Sequence, residues 1–155
     1  MKIAVLERNS VGTDIDVTCF EDFGEVTYYR NTVAADAAEK VKDVDIIIAN
    51  KAPMNEETLK DAPNVKLICE FATGFDNIDL EYCKKRRIKV ANVKDYSTAA
   101  VAQHTFALAL YLLEHLPHYD TYVKDGSYGA QDRFSNFDLP FTELAGKTWG
   151  IIGMG

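Results

Sequence analysis

Residues 150–155, Gly150-Ile151-Ile152-Gly153-Met154-Gly155, place a short apolar run ahead of two glycines in G-x-G spacing. Glycines so placed open a tight turn and let the backbone approach a pyrophosphate, so the run predicts a strand entering a dinucleotide-binding turn, with Gly153, Met154 and Gly155 at the phosphates. A complete fingerprint goes on to a third glycine, a helix whose first amides hold the pyrophosphate, and an acidic residue roughly 20 positions later for the ribose. None of these falls within the 155 residues. The expectation is therefore the opening of a nicotinamide-dependent enzyme's cofactor site, with NAD or NADP bound only by a longer protein and no cofactor held by this chain alone.

A second stretch suits a carboxylate. Phe71-Ala72-Thr73-Gly74-Phe75-Asp76-Asn77-Ile78-Asp79 follows an apolar run and precedes a capped helix. Ligands of parallel sheets bind outside the carboxyl ends of the strands. Gly74 would let a ligand come close to the backbone, and successive free amides there could hold an anion. On these residues alone an ordinary strand-to-helix turn remains the preferred reading. His104, His115 and His118 lie in or beside a helical stretch, where structural roles are expected of all three. Cys19, Cys69 and Cys83 are odd in number and lack the spacing of a metal site. Cys69 in an apolar strand run and Cys19 on a helix face are expected to behave as small hydrophobes rather than as a nucleophile, and the setting is expected to be reducing and cytoplasmic.

Composition narrows the classes further. Hydrophobic residues make up 47% and charged residues 26%, which is ordinary for a globular chain. A net charge of -7 lacks the basic footprint of a nucleic-acid or anionic-membrane binder. Lys84-Lys85-Arg86-Arg87 is basic but sits where a helix should end, so a solvated helix terminus is expected. No apolar run reaches the roughly 18 uninterrupted residues of a membrane span.

The elements that must position these groups alternate. Residues 2–6, 26–29, 44–49, 65–71 and 88–93 read as strands with helical stretches between them, predicting a parallel five-stranded sheet in three layers. Ile15, Cys19 and Phe23 fall at helical spacing ahead of Gly24, and Asn55 and Asp79 are candidate N-caps. Ser97 or Thr98 can cap a long helix in which residues 105–113 carry no charge on any face. A helix apolar all round needs cover on more than one side, which predicts burial between domains or subunits. Pro117 should end or kink it. Beyond Gly126 the pattern becomes irregular before the final strand.

Taken together, the segment 72–79, then Asn92-Val93, Tyr96-Ser97-Thr98, Ala100-Val101-Ala102-Gln103-His104-Thr105, Glu143-Leu144-Ala145-Gly146-Lys147-Thr148 and the closing glycines resemble the D-isomer-specific 2-hydroxyacid dehydrogenase family. Asn50-Lys51 and the wording of 101–105 are similar to its glycerate dehydrogenase or hydroxypyruvate reductase branch. Gln103, where glutamate is commoner, and Lys94-Asp95, where a proline-containing turn is frequent, depart from the pattern.

The resemblance implies a flavodoxin-like substrate domain at 1–97, closed by a returning C-terminal segment. It also implies an interdomain helix at 98–125, pairing two subunits through 98–116, and the start of a Rossmann domain at 126–155. Thr73 and Gly74 would hold the substrate carboxylate, with Thr73 also approaching the nicotinamide side and Val101 lying beside the nicotinamide. Lys51 and Tyr96 would border the cleft, although a surface lysine and a packing tyrosine are equally open. The arginine, histidine and glutamate of the chemistry would lie downstream, leaving no catalytic residue here and no dehydrogenase activity in these 155 residues. A stand-alone binding or dimerisation module, or a corepressor related to the dehydrogenases, remains the alternative.

Overall fold

The computed structural model describes residues 1–153, which divide into two compact units, one of Met1–Tyr96 and one beginning at Ser97. In the first unit, β1 (Lys2–Val5), β2 (Glu25–Tyr28), β3 (Ile46–Ala49), β4 (Leu67–Glu70) and β5 (Lys89–Ala91) form one parallel sheet in the order β2-β1-β3-β4-β5. This is the flavodoxin-like order, whose direction reverses between β1 and β3. All five expected strands are present; β2 is shifted by one residue and the other four are somewhat shorter than their apolar runs.

Side chains alternate across the pleat, so each strand feeds two faces. Ala4, Leu6, Ile47, Ala49 and Ile68 face α1 (Ala34–Val41), α2 (Glu56–Leu59) and α3 (Leu80–Arg86), and this side forms the principal core with Val41, Leu59 and Cys83. Two helices begin as their sequences predict. Asn55 accepts from the Thr58 amide at the start of α2, and Asp79 accepts from the Tyr82 amide at the start of α3. At the end of α3 Lys84, Lys85 and Arg87 are exposed as expected, and Arg86 departs from the expectation. Arg86 turns inward and donates to the carbonyls of Leu59 and Ala62 at 2.8 and 2.9 Å, capping the end of α2 instead of facing solvent.

The opposite face corrects the three-layer expectation. Ile3, Val5 and Ile48 pack with Phe20, Val26 and Phe71, but the segment expected to be a helix through Ile15, Cys19 and Phe23 makes only a 3-10 turn at Thr18–Phe23. Asp16 competes with helix formation by accepting from both the amide and hydroxyl of Thr18. Ile15 and Phe23 stay exposed. An apolar groove of about 460 Å³ is left over this face, lined by Ile3, Phe20, Ile46, Ile48, Cys69 and Phe71 among others.

In the second unit the long helix is two. α4 (Thr98–Leu113) ends before His115, which adopts a left-handed conformation, and α5 (Leu116–Lys124) starts afresh with Pro117 in its first turn. α6 (Ser127–Ala130) follows. No residue of α4 is buried, and Val101, Phe106, Leu108, Tyr111 and Leu112 are exposed. The expected Rossmann strand is absent, because no strand forms over residues 147–153. A strand satisfies its backbone only beside another strand, and the described residues of this unit contain none.

Gly24 is required where it stands. Its φ is 157°, and a β-carbon there would collide with the Met1 carbonyl, which accepts the Glu25 amide at the start of the β1–β2 pairing. Gly24→Ala should lower the urea midpoint by the equivalent of about 1–3 kcal/mol, with the β1–β2 edge losing amide-exchange protection first.

Candidate functional site

The carboxyl ends of β1, β3, β4 and β5 share one edge of the sheet, and the candidate site is built from the loops that leave it. At the β1/β3 crevice the Glu7 carboxylate accepts from the amides of Asn50 (2.6 Å), Lys51 (2.9 Å) and Ala52 (3.2 Å). These are the donors that a ligand anion would otherwise take at a switch point. The protein fills the crevice with its own carboxylate. Glu7 is 7% exposed, while the Lys51 side chain that follows β3 is exposed to solvent.

The next loop is free to receive a ligand. The turn after β4 is pinned at its near end: the Thr73 hydroxyl donates to the Val93 carbonyl at 2.9 Å, and the Asn92 side chain donates to the Thr73 carbonyl at 2.8 Å. Its far end is clamped to the β3 loop. Met54 donates its amide to the Asn77 carbonyl and accepts the Asp79 amide, both at 2.9 Å. Between these anchors Thr73, Gly74, Phe75 and Asp76 are exposed, and the Thr73 and Gly74 amides find no acceptor among the described residues. A β-carbon on Gly74 would meet only the Asp76 side chain, at an ordinary 3.4 Å. Glycine is therefore not demanded by the fold at this position, in contrast to Gly24.

The expected site residues thus separate. Lys51, Thr73 and Gly74 come together on neighbouring loops of the first unit; Tyr96 stands at its end, 64% exposed. Val101, 60% exposed, and Gly153, with φ 93°, belong to the second unit. Met154 and Gly155 lie outside the described residues. Residues 147–153 form neither strand nor helix. His118 packs against Tyr119 and Tyr122, consistent with a structural role. Burial pushes the thiols of Cys69 and Cys83 up, the reverse of what a nucleophile needs.

Two acidic residues escaped the sequence reading as site components. Glu7 and Glu70 each directly follow or end an apolar strand, and that placement of a carboxylate against a core was the available signal. Burial is the largest influence on Glu70, whose carboxyl is pushed up to about 7.

The model of the family described as "D-isomer specific 2-hydroxyacid dehydrogenase, catalytic domain" matches residues 3–146. The chain belongs to this family. It is 35% identical to a hydroxypyruvate reductase of Blautia hydrogenotrophica, with 100% of this chain and 49% of that protein aligned. Identity to a glycerate dehydrogenase of Methylorubrum extorquens is 34%, over 99% of this chain and 49% of the relative. The fold matches a crystal structure of D-lactate dehydrogenase from Aquifex aeolicus complexed with NAD and lactic acid, with a TM-score of 0.70 and 29% identity over 93% of this chain and 41% of that one. The chain spans about half the length of the curated relatives it matches.

Within this dehydrogenase-family chain, Glu7 is the residue on which the β3 loop depends. Glu7→Ala strands three amides and should destabilise the protein by at least about 2 kcal/mol. Glu7→Gln, which keeps an accepting oxygen, should lose less. Chemical denaturation of the two variants against wild type measures the difference.

Proposed function

We propose that this chain is the substrate-binding front portion of an NAD- or NADP-dependent D-2-hydroxyacid dehydrogenase that interconverts a small 2-oxo acid and its 2-hydroxy acid. A glycerate- or hydroxypyruvate-like substrate fits the relatives best. The observation that carries this reading is the Thr73-Gly74 turn. It presents two unpartnered amides at the carboxyl edge of the sheet, beside a loop bearing Lys51, in a chain whose family acts on hydroxy acids.

In this reading residues 1–97 are the substrate domain, 98–125 the interdomain segment made of α4 and α5, and 126–155 the start of a Rossmann domain. The bound dinucleotide supplies or accepts the hydride. The amides of Thr73 and Gly74 hold the substrate carboxylate, which fixes the carbonyl relative to the rest of the cleft. Lys51 and Tyr96 border that cleft and tune its charge and shape. In the full-length protein Thr73 and Val101 would be residues of the nicotinamide side, and Gly153, Met154 and Gly155 would belong to the phosphate-binding sequence. The cation that polarises the carbonyl, the acid that protonates the alkoxide and the carboxylate that orients the acid lie outside this chain. The apolar groove on the open sheet face would receive a returning C-terminal segment. Three free cysteines suit a reducing cytoplasm, and among the described residues no helix is long and apolar enough to cross a membrane.

The full-length protein should oxidise NADH or NADPH in the presence of hydroxypyruvate or glyoxylate, and residues 1–155 alone should not. Gly74→Val should raise the KM for the 2-oxo acid roughly tenfold or more, by keeping the carboxylate from amides worth about 1.5–3 kcal/mol. Its melting temperature should hold. An unchanged KM, or turnover by the 155-residue chain, contradicts the assignment.

The proposed dimer uses α4, where Val101, Leu108 and Leu112 fall on one stripe and are exposed. Light scattering should give a dimer across concentrations. Leu108→Glu should shift it to monomer or to a sharply weaker association, and a wild-type monomer would remove α4 as the interface.

A further inference from the structure

Glu70 closes β4 and is 1% exposed, on the same face of the sheet as Ile68. The Asn77 side-chain amide donates to Glu70 Oε2 at 3.3 Å and to the Ala52 carbonyl at 3.1 Å. One buried oxygen on each partner is then left over, Glu70 Oε1 and Asn77 Oδ1, and neither has a hydrogen-bond partner. Both are acceptors while Glu70 is ionised. A proton on Oε1 would create the donor the pair lacks, because a carboxylic acid and a primary amide are complementary head to tail.

We infer that Glu70 and Asn77 form a buried acid-amide pair that positions the Thr73-Gly74 turn, and that the pair is complete only when Glu70 carries a proton. This deepens the reading of that turn as the carboxylate-binding loop and rests on it. The pair sits at the root of the turn: Glu70 is three residues before Thr73, and Asn77 binds the β3 loop through both its side chain and its carbonyl. Loss of the pair leaves the far end of the turn held only by its bonds to Met54 and Ala52, while the bonds to Asn92 and Val93 hold its near end.

The surroundings favour the neutral acid. Burial is the main influence; the carboxylates of Glu7 at the end of β1 and of Asp76 within the turn act in the same direction. The Asn77 hydrogen bond and the Lys51 ammonium after β3 oppose them. The outcome is a carboxyl raised from 4.5 to about 7. A raised folded-state value means that the pair's stabilisation is full below 4.5 and is lost as pH rises through about 7. Glu70 is a positioning residue, without contact to substrate, and the proton comes from solvent.

Glu70→Gln in the full-length dehydrogenase reproduces the neutral acid permanently, since its amide can accept from Asn77 Nδ2 and donate to Asn77 Oδ1. Melting temperature and KM for hydroxypyruvate are measured for variant and wild type from about pH 5 to about pH 8. Their ratio at each pH cancels the titration of groups that both share. The two should agree at the acid end. Toward pH 8 wild type should melt lower than Glu70→Gln, and its KM should become about three- to tenfold higher than the variant's, the effect of one net hydrogen bond. Parallel melting curves, or a constant KM ratio, overturn the inference.

A second readout needs no variant. In wild type, amide-exchange protection at Ile78 and Asp79, whose amides bond to the Phe75 and Met54 carbonyls, corrected for intrinsic rates, should fall between about pH 6 and about pH 8; constant protection overturns the inference. Absence of wild-type turnover would instead overturn the dehydrogenase reading and the turn's link to substrate. The melting and exchange arms would still judge the pair itself.

Discussion

The Glu7 carboxylate, bonded to three successive amides at the β1/β3 crevice, is the constraint from which the site's layout follows. A charged acceptor with several amide donors is among the stronger interactions a protein surface offers. Here it ties the end of β1 to the start of the loop after β3. That loop then serves as a fixed wall, because Met54 and the Ala52 carbonyl receive the far end of the neighbouring turn through Asn77 and Asp79. Glu7 also occupies the switch-point amides from within, so that the amides without an acceptor among the described residues include those of Thr73 and Gly74, one loop along the edge.

Glu7 and Glu70 show two solutions to one problem. Both carboxyls stand at strand ends against the core, where an unpaired charge is costly. Glu7 is surrounded by backbone donors. Glu70 is pushed toward its neutral form first by burial; it meets a single amide donor, and two neighbouring carboxylates act in the same direction as burial. Both groups stand against the same pair of loops.

Apolar surface is distributed just as unevenly. One face of the sheet is covered by three helices, whereas the other carries only a 3-10 turn and an open groove. In the second unit α4 presents large apolar side chains on every side. Exposed apolar area of this extent marks surfaces made to be covered. A chain spanning about half the length of its relatives is where such surfaces are expected.

The sequence by itself determined the strands, their parallel arrangement and the caps at Asn55 and Asp79, because apolar runs and short polar caps act over a few residues. Joined to the motifs around it, the Phe71 to Asp79 segment also pointed to the family whose model matches residues 3–146. The sequence overestimated what local pattern can hold. Ile15, Cys19 and Phe23 carry helical spacing, yet Asp16 captures Thr18 and a tight turn results; the Gly150 to Ile152 run is strand-like, yet no neighbouring strand completes it. Only the tertiary structure could show that Arg86 turns inward, that Glu7 seals the crevice, and that Glu70 and Asn77 share a buried contact. Those roles depend on groups 7 to 45 residues apart in the chain being brought within hydrogen-bond distance, and no local pattern encodes that.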